Sequence, residues 1–207
     1  MKDVYIIIPV YKGLEETRAC LTSVLSCSPG TEVLVIDDAS PDTEIQQYVT
    51  SLKKDHTRVH VFRNPVNKGF VKSVNHGFDH DRQKDVIVLN SDTIVTSRWV
   101  EKLRTWAYAD PRAATVTPMS NSATICSYPV INRCNALPEA FSPNDLNALF
   151  ETSGTFQRDA LIEIPTGIGF CLYIKREFLN KAGYFNDTLF GTGYGEENDF
   201  CLRCIAQ

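Results

Sequence analysis

Along the first half of the chain, apolar residues run together in short blocks that stop at polar, turn-forming clusters. Val4–Val10 ends at Pro9-Val10-Tyr11, and Glu32–Ile36 runs into Asp37-Asp38-Ala39-Ser40. Val59–Phe62 ends at Arg63-Asn64-Pro65, and the Val-Ile-Val-Leu block from Val86 stops at Asn90-Ser91-Asp92-Thr93. Unbroken runs rich in Val and Ile predict strands buried on both faces. Between them, apolar residues recur at helical spacing over Leu14–Leu25, Thr43–Leu52, Val71–Phe78 and Ser97–Tyr108. Glu15 and Glu16 open the first helix, where its dipole favours them, and Trp99, Leu103 and Trp106 mark one face of the fourth. Strands alternating with helices through short joints predict an α/β fold with a mostly parallel central sheet, right-handed crossovers and helices on both faces.

The second half is less regular. Ala113–Thr117 reads as a further strand, but from Met119 to Pro165 the pattern dissolves into Pro, Asn and Ser, with only Leu146–Phe150 helical. An irregular segment of that length inside a domain is usually functional or mobile. Gly167–Lys175 predicts another strand and Arg176–Ala182 a short helix. Gly183–Gly195 is rich in glycine and aromatic residues, and Glu196-Glu197-Asn198-Asp199 opens a helix containing Phe200, Leu202 and Ile205. With no repeat and no low-complexity linker, residues 1–207 read as one domain. The pattern is still helical at Gln207, so the expectation is that the natural protein continues.

Composition narrows the functions. A net charge of −4 argues against a broad nucleic-acid or anionic-membrane footprint. No apolar run reaches membrane-spanning length and the N-terminus lacks a signal-peptide pattern, so a cytoplasmic protein is expected. Peripheral work at the inner face of a membrane stays compatible. Seven cysteines without a disulfide-framework spacing fit reduced thiols in such a compartment.

The candidate chemistry is acidic. Asp37 and Asp38 follow the second strand, Asp92 the fourth, and Glu196 and Glu197 start the last helix. Taken singly, each is more often a cap or a complement to a helix dipole. Ligands of open α/β sheets, however, bind outside the carboxyl ends of the strands. Carboxylates crowded on that rim repel one another unless they share a cation, which points to a metal–phosphate site.

Five segments in order carry a resemblance. They are Ile8-Pro9-Val10-Tyr11, Val35-Ile36-Asp37-Asp38-Ala39-Ser40, Asn67-Lys68-Gly69-Phe70 with Asn75-x-Gly77, Leu89-Asn90-Ser91-Asp92-Thr93, and Gly195-Glu196-Glu197-Asn198-Asp199-Phe200. Together they span nearly the whole chain, which resembles the inverting family-2 glycosyltransferases and, within them, bacterial cell-surface polysaccharide enzymes of rhamnosyltransferase-like type. The resemblance implies the nucleotide-sugar-binding GT-A fold. It implies a UDP- or dTDP-linked sugar donor, a saccharide or lipid-linked saccharide acceptor, and a divalent Mg or Mn ion. Pro9 and Tyr11 would line the nucleoside pocket, and Asp37, beside Asp38, would accept from base or ribose. Lys68, Gly69, Asn90 and Ser91 would lie near the nucleotide, and Asp92 with Asn90 would hold the metal. Glu197, next to Glu196, falls where the family keeps its catalytic base, and Met119–Pro165 would be an acceptor or lid region.

Two departures stand out. Asn90 replaces the first acid of the family's Asp-x-Asp, exchanging a charged ligand for a neutral amide oxygen. Glu197 replaces Asp and is one methylene longer. The implied reaction is a single displacement at the anomeric carbon, with a carboxylate taking the acceptor's proton and a cation easing the departure of diphosphate.

Other features carry less. Cys201-x-x-Cys204 lacks a second pair and lies on a helical pattern. His76 and His80, four apart, could form a metal face but show no third ligand in sequence. Trp99 and Trp106 read as core, and Gly167-Ile168-Gly169 is too short to define a phosphate loop. The rival readings are a phospho-acceptor receiver domain, fed by Asp37-Asp38, and a nucleotide-sugar-binding protein without turnover, fed by Asn90. A dinucleotide-dependent dehydrogenase is more distant, because no Gly-x-Gly-x-x-Gly follows the first strand.

Overall fold

The computed structural model describes residues 1–153 and 161–207. Its first half follows the predicted alternation: β1 (Val4–Val10), α1 (Leu14–Cys27), β2 (Glu32–Asp37), α2 (Thr43–Asp55), β3 (Val59–Arg63), α3 (Phe70–Phe78), β4 (Asp85–Leu89) and α4 (Trp99–Ala107). Then come β5 (Thr115–Val116), a 3-10 turn at Thr124–Cys126, α5 (Pro143–Thr152), β6 (Cys171–Ile174), α6 (Arg176–Ala182), α7 (Asp187–Phe190) and α8 (Glu196–Ile205). The strands form one six-stranded sheet in the order β3-β2-β1-β4-β6-β5.

β1 is central because it is apolar on both sides: Tyr5, Ile6, Ile7 and Ile8 are all fully buried. Side chains alternate across a strand. Ile6, Ile8 and Val10 face a core completed by Leu21 and Val24 of α1, Ile45 and Val49 of α2, and Trp99 and Leu103 of α4. Tyr5 and Ile7 face the opposite core, with Val74 and Phe78 of α3, Leu179 of α6 and Phe200 of α8. Each such side chain contributes about 1.5–3 kcal/mol by leaving water. α3 comes unusually close to the sheet: a Cβ on Gly77 would sit 2.7 Å from Ile7 Cδ1 and 3.1 Å from Ile36 Cδ1. α1 and α2 lie on one face and α3 on the other, as one crossover hand requires when the strand order reverses between β1 and β4.

Three expectations need revision. The strand expected over Gly167–Lys175 is shorter, and it runs antiparallel to both β4 and β5. It follows a loop and not a crossover helix, so nothing obliges it to run parallel. β5 is only two residues long, and Trp106 is half-buried while Ala107 takes the core position. The segment Met119–Pro165 is more ordered than its composition implies. Ser142 caps α5, accepting from Asp145 N–H, while Asp145 accepts from Ser142 N–H at 2.9 Å and Pro143 fills the first turn. Residues 154–160 of that segment lie outside the described residues.

A polar hub holds the opposite, amino edge of the sheet. Asp85, fully buried at the start of β4, accepts from Tyr108 Oη at 2.8 Å, Tyr173 Oη at 2.7 Å and the Arg176 backbone N–H at 2.8 Å. The buried Arg176 guanidinium donates to the carbonyls of Phe78, Asp81 and Lys84 and to Tyr5 Oη. Burial pushes the Tyr5 phenol up to about 12, and burial with the Asp85 carboxylate pushes Tyr173 up further, so both remain O–H donors.

Candidate active site

The carboxyl ends of β1, β2 and β4 form one rim, and the crevice where the strand order reverses lies between β1 and β4. Pro9 is half-buried in β1 opposite Ile36, and Tyr11, just beyond, is half-exposed. The two turns are tied together, Asp38 N–H donating to Val10 O at 2.8 Å and Lys12 N–H to Ser40 Oγ at 3.2 Å.

Asp37 and Asp38 have different neighbours. Asp37 accepts from Ser40 N–H at 2.8 Å and pairs with Arg63 at the end of β3. Asp38 accepts from Asn64 Nδ2 at 2.7 Å, Lys68 N–H at 2.8 Å and Gly69 N–H at 2.8 Å. Its carboxylate therefore moulds the Asn67-Lys68-Gly69 loop, and the nucleotide contact expected of it would act through that loop. Asn64, buried and also bonded to Ser73 Oγ, had no sequence signal beyond standing beside a proline.

That loop reaches the far end of the chain. Gly69 has φ +82°, and a Cβ there would lie 2.9 Å from Thr192 Cα. Phe70 N–H donates to Thr192 O at 3.3 Å. Thr192 belongs to the glycine-rich run that delivers Glu196 and Glu197 at the start of α8. Both carboxylates lie against Gly169: a Cβ there would be 3.8 Å from Glu197 Oε1 and 4.0 Å from Glu196 Oε1. Gly169 precedes Phe170, whose carbonyl accepts from Asn90 N–H at 2.9 Å. Asn90 opens the turn that carries Ser91 and Asp92, closed by Thr93 N–H on Asn90 O at 3.2 Å. Contacts joined by short stretches of chain thus lead from Asp38 through Gly69 and the Thr192–Glu197 run to Gly169, and through Phe170 to Asn90. Acids far apart in sequence share one rim.

The two glutamates differ as neighbours do at a helix start. Glu196 is only 4 % exposed and its Oε2 has no partner among the described residues. Burial, reinforced by the charge of Glu197, pushes its carboxyl up, while backbone N–H groups of the helix start pull the other way. Glu197 is half-buried, with Oε2 accepting from Gly195 N–H at 3.3 Å. Asp199 turns away and pairs with Arg203 at 2.9 Å, which is in turn fixed by Tyr184 O at 2.8 Å.

Asp92 is exposed and makes no hydrogen bond or ion pair among the described residues, while Asn90 and Ser91 are half-buried. An exposed carboxylate beside an amide is an oxygen-only donor set that fits a hard divalent ion, Mg²⁺ or Mn²⁺, sharing its remaining positions with a diphosphate. Lys68 is exposed on the loop that Asp38 holds and lines an open groove of about 610 Å³ with Asn67 and Lys72. Asp92 and Glu197 do not line that groove.

With this geometry in place, comparison with known proteins is decisive at one point: the model of glycosyl transferase family 2 matches residues 5–183. The chain belongs to that family. Among curated proteins none matches it significantly. Solved structures share its fold. GalNAc-T7, solved with UDP, GalNAc and Mn²⁺, superposes with TM-score 0.72 at 17% identity over 99% of this chain and 40% of that one. A mannosyltransferase of Pyrobaculum calidifontis, in complex with GDP-Man and Mn²⁺, gives 0.65 at 16% over 96% and 52%. S. aureus TarS 1–349 gives 0.63 at 15% over 98% and 55%. The expected GT-A architecture is the one found, and the chain spans about half the length of these structures or less. Membership in this family sets aside the receiver and dehydrogenase readings. The family match ends before Glu196 and Glu197, so the placement of those two residues rests on the contacts above.

Proposed function

We propose that the protein is an inverting glycosyltransferase that moves a sugar from a UDP- or dTDP-linked donor to a hydroxyl of a saccharide or lipid-linked saccharide. The observation that supports this reading is that Gly169-Phe170 lies against Glu196 and Glu197 on one side and bonds the Asn90 backbone, at the head of the Asn90–Asp92 turn, on the other. Leaving-group and acceptor chemistry need carboxylates in both places. Solved relatives hold GDP-Man or UDP together with Mn²⁺, which supports a nucleotide donor and a metal. A role in cell-surface polysaccharide synthesis, in the cytoplasm at the inner face of the membrane, rests on the resemblance of the sequence motifs. No helix among the described residues is long and apolar enough to cross a membrane.

In this mechanism the loop held by Asp38 at Gly69 N–H would present the exposed Lys68 side chain to the nucleotide. Pro9 and Tyr11 would line the nucleoside pocket, and Asp37, held by Ser40 N–H and Arg63, would accept from base or ribose. Asn90 and Asp92 would hold a divalent ion, which would supply positive charge beside the departing diphosphate. Glu197, anchored by Gly195 N–H, receives the acceptor proton as the hydroxyl attacks the anomeric carbon. Glu196, desolvated behind it, shapes the floor of the acceptor side.

Thermal shift with UDP, dTDP and GDP sugars, each with and without Mn²⁺ or Mg²⁺, tests the donor site. A ligand at about a hundred times its dissociation constant stabilises the fold by roughly 2.7 kcal/mol. Asp92→Asn should remove the metal-dependent part of the shift, and Asn90→Asp should keep or increase it. If no nucleotide moves the melting temperature under any metal condition, the donor site is wrong. The anomeric configuration of the product, read by NMR, decides inversion.

A further inference from the structure

At the amino edge of the sheet, on the side opposite the catalytic rim, three side chains from three separate elements meet at one point. Glu32 opens β2, His60 lies in β3, and His80 follows α3. Glu32 Oε1 is 2.9 Å from His60 Nε2 and 2.9 Å from His80 Nε2, and the three ligand atoms lie within 4.8 Å of one another. The imidazole rings are 5.0 Å apart between centroids. His60 pairs in register with Leu34, whose side chain packs in the α3-side core, and this places His60 on the same face of the sheet as α3. The sequence alone pairs His76 with His80, but in the fold His76 stacks on Phe62 at 4.0 Å and His80 turns to the strands.

We propose that Glu32, His60 and His80 form a binding site for a zinc-class divalent cation, separate from the ion of the catalytic rim. Two neutral imidazoles and one carboxylate oxygen are the donor set of open zinc sites, which leave a fourth position to water or another ligand. Tetrahedral bonds of about 2.0–2.1 Å put neighbouring ligand atoms roughly 3.3 Å apart. To admit the ion the glutamate oxygen retreats by a few tenths of an ångström, and the two imidazole nitrogens, which lie within 4.8 Å of one another, settle to the same spacing. Its other oxygen is already held: Lys84 Nζ donates to Oε2 at 2.6 Å and also pairs with Asp81 at 3.2 Å. Lys84 thus orients the carboxylate so that Oε1 faces the imidazoles, the second-layer support that metal ligands usually have. Glu32 and Asp81 against Lys84 leave one negative charge beside the imidazoles, and Lys53 and Asp79, which line the adjoining groove, offset one another. A groove of about 320 Å³, lined in part by His60, Phe62, His76 and Asp79, gives solvent access to the fourth position. The ion would clip β2, β3 and the α3–β4 joint together. Glu32 stands five residues before Asp37, so the clip lies about 16 Å from the rim.

Titration of the untagged, full chain with Zn²⁺ and Co²⁺, without nucleotide, tests this. One equivalent should bind, and Co²⁺ should give visible d–d bands without the near-ultraviolet thiolate band that cysteine ligation produces. The melting temperature should rise with Zn²⁺ in the wild type. His60→Ala and His80→Ala should each weaken binding at least tenfold and abolish that rise, and Asp92→Asn should leave both unchanged. The half-exposed His60→Gln serves as a second variant should His80→Ala fold poorly, and it should weaken binding to the same extent. No stoichiometric binding, a thiolate spectrum, insensitivity to His60 substitution, or loss of the site in Asp92→Asn would each overturn the proposal. Because the assay contains no nucleotide, its failure leaves the donor-site reading untouched.

Discussion

Asp37, Asp38, Asp92, Glu196 and Glu197 were legible as candidates from sequence, since each stands where an apolar run stops or a helix starts. Their partners were not, because hydrogen bonds such as Asn64 to Asp38 join residues 26 positions apart. The division of labour between the two glutamates is equally a matter of burial that the sequence does not display. Glu197→Gln keeps size and loses basicity, so transfer should fall about 10²–10⁴-fold with donor affinity intact, measured by single turnover beside nucleotide binding. Asp199→Asn should leave turnover near wild type and cost about 0.5 kcal/mol through the lost Arg203 pair. A dead Asp199→Asn beside an active Glu197→Gln would move the base to Asp199. Glu196 gives a different signature. Its folded carboxyl titrates above the ordinary range because burial disfavours the charge. The native state therefore keeps its proton to higher pH than the unfolded chain, and stability declines as pH rises from the unfolded value of about 4.3 through the folded one. Glu196→Gln removes that decline. It should melt higher than wild type near neutral pH, and the difference should close as pH falls toward about 4. A difference that grows with acidity would contradict the assignment.

At the scale of elements, β1, β2 and β4 could be read as unbroken apolar runs because they are buried on both faces, their helices from amphipathic spacing, and the edge strand β3, half-exposed, only from its short Val-x-Val-Phe run. β6 could not be oriented, because direction depends on the loop before it and not on its own residues. The helix expected over Leu146–Phe150 is the middle of α5, and its start could have been placed from Ser142-Pro143-x-Asp145, a capping signature masked by the low apolar content around it. The loop at Gly69 shows how a local signal gains meaning only in the fold. A glycine before a helix is unremarkable, yet here its positive φ and the lack of room for a Cβ, which would fall 2.9 Å from Thr192 Cα, pack the nucleotide side of the rim against the run that leads to the glutamates. Gly69→Ala adds a methyl group into backbone that cannot yield cheaply, on top of a conformation that L-residues disfavour. The expected cost is about 1–3 kcal/mol, with donor affinity falling more than that of a mild destabilisation. Gly30→Ala is the control: φ is +83° but nothing lies within 4 Å, so only the strain term remains and nucleotide affinity should be unchanged. Equal loss of donor affinity in both variants would remove the Thr192 contact from the argument.

For the whole molecule, chemistry and stability sit at opposite ends of the sheet. The carboxyl rim carries the exposed Asp92 and the unpartnered Glu196 Oε2 beside the hydrogen-bonded Asp37 and Asp38, whereas the amino edge carries a satisfied buried hub at Asp85. That hub binds both cores: Tyr173 belongs to the α1-side core, Tyr5 to the α3-side core, and Arg176 reaches from α6 to the carbonyls around the α3–β4 joint. The chain order hid it, since Asp85 and its acceptor-seeking partners at Tyr108, Tyr173 and Arg176 are 23 to 91 residues apart. Asp85→Ala would strand the buried Tyr173 phenol O–H, the half-buried Tyr108 O–H and one backbone N–H without an acceptor. At about 1–3 kcal/mol for each orphaned group, the loss should reach about 3–5 kcal/mol, a large share of the 5–15 kcal/mol that holds a typical domain. The melting temperature should drop by roughly 10 °C, at about 2–4 °C per kcal/mol for a chain of this size. Asp85→Asn, which keeps one acceptor oxygen, should lose less. In both variants the protein that remains folded at low temperature should bind donor with wild-type affinity, because Asp85 stands about 16 Å along β4 from Asn90. Urea melts paired with nucleotide titration at 10 °C separate the two effects. An unmoved midpoint together with lost donor affinity would mean that Asp85 serves the site and not the scaffold.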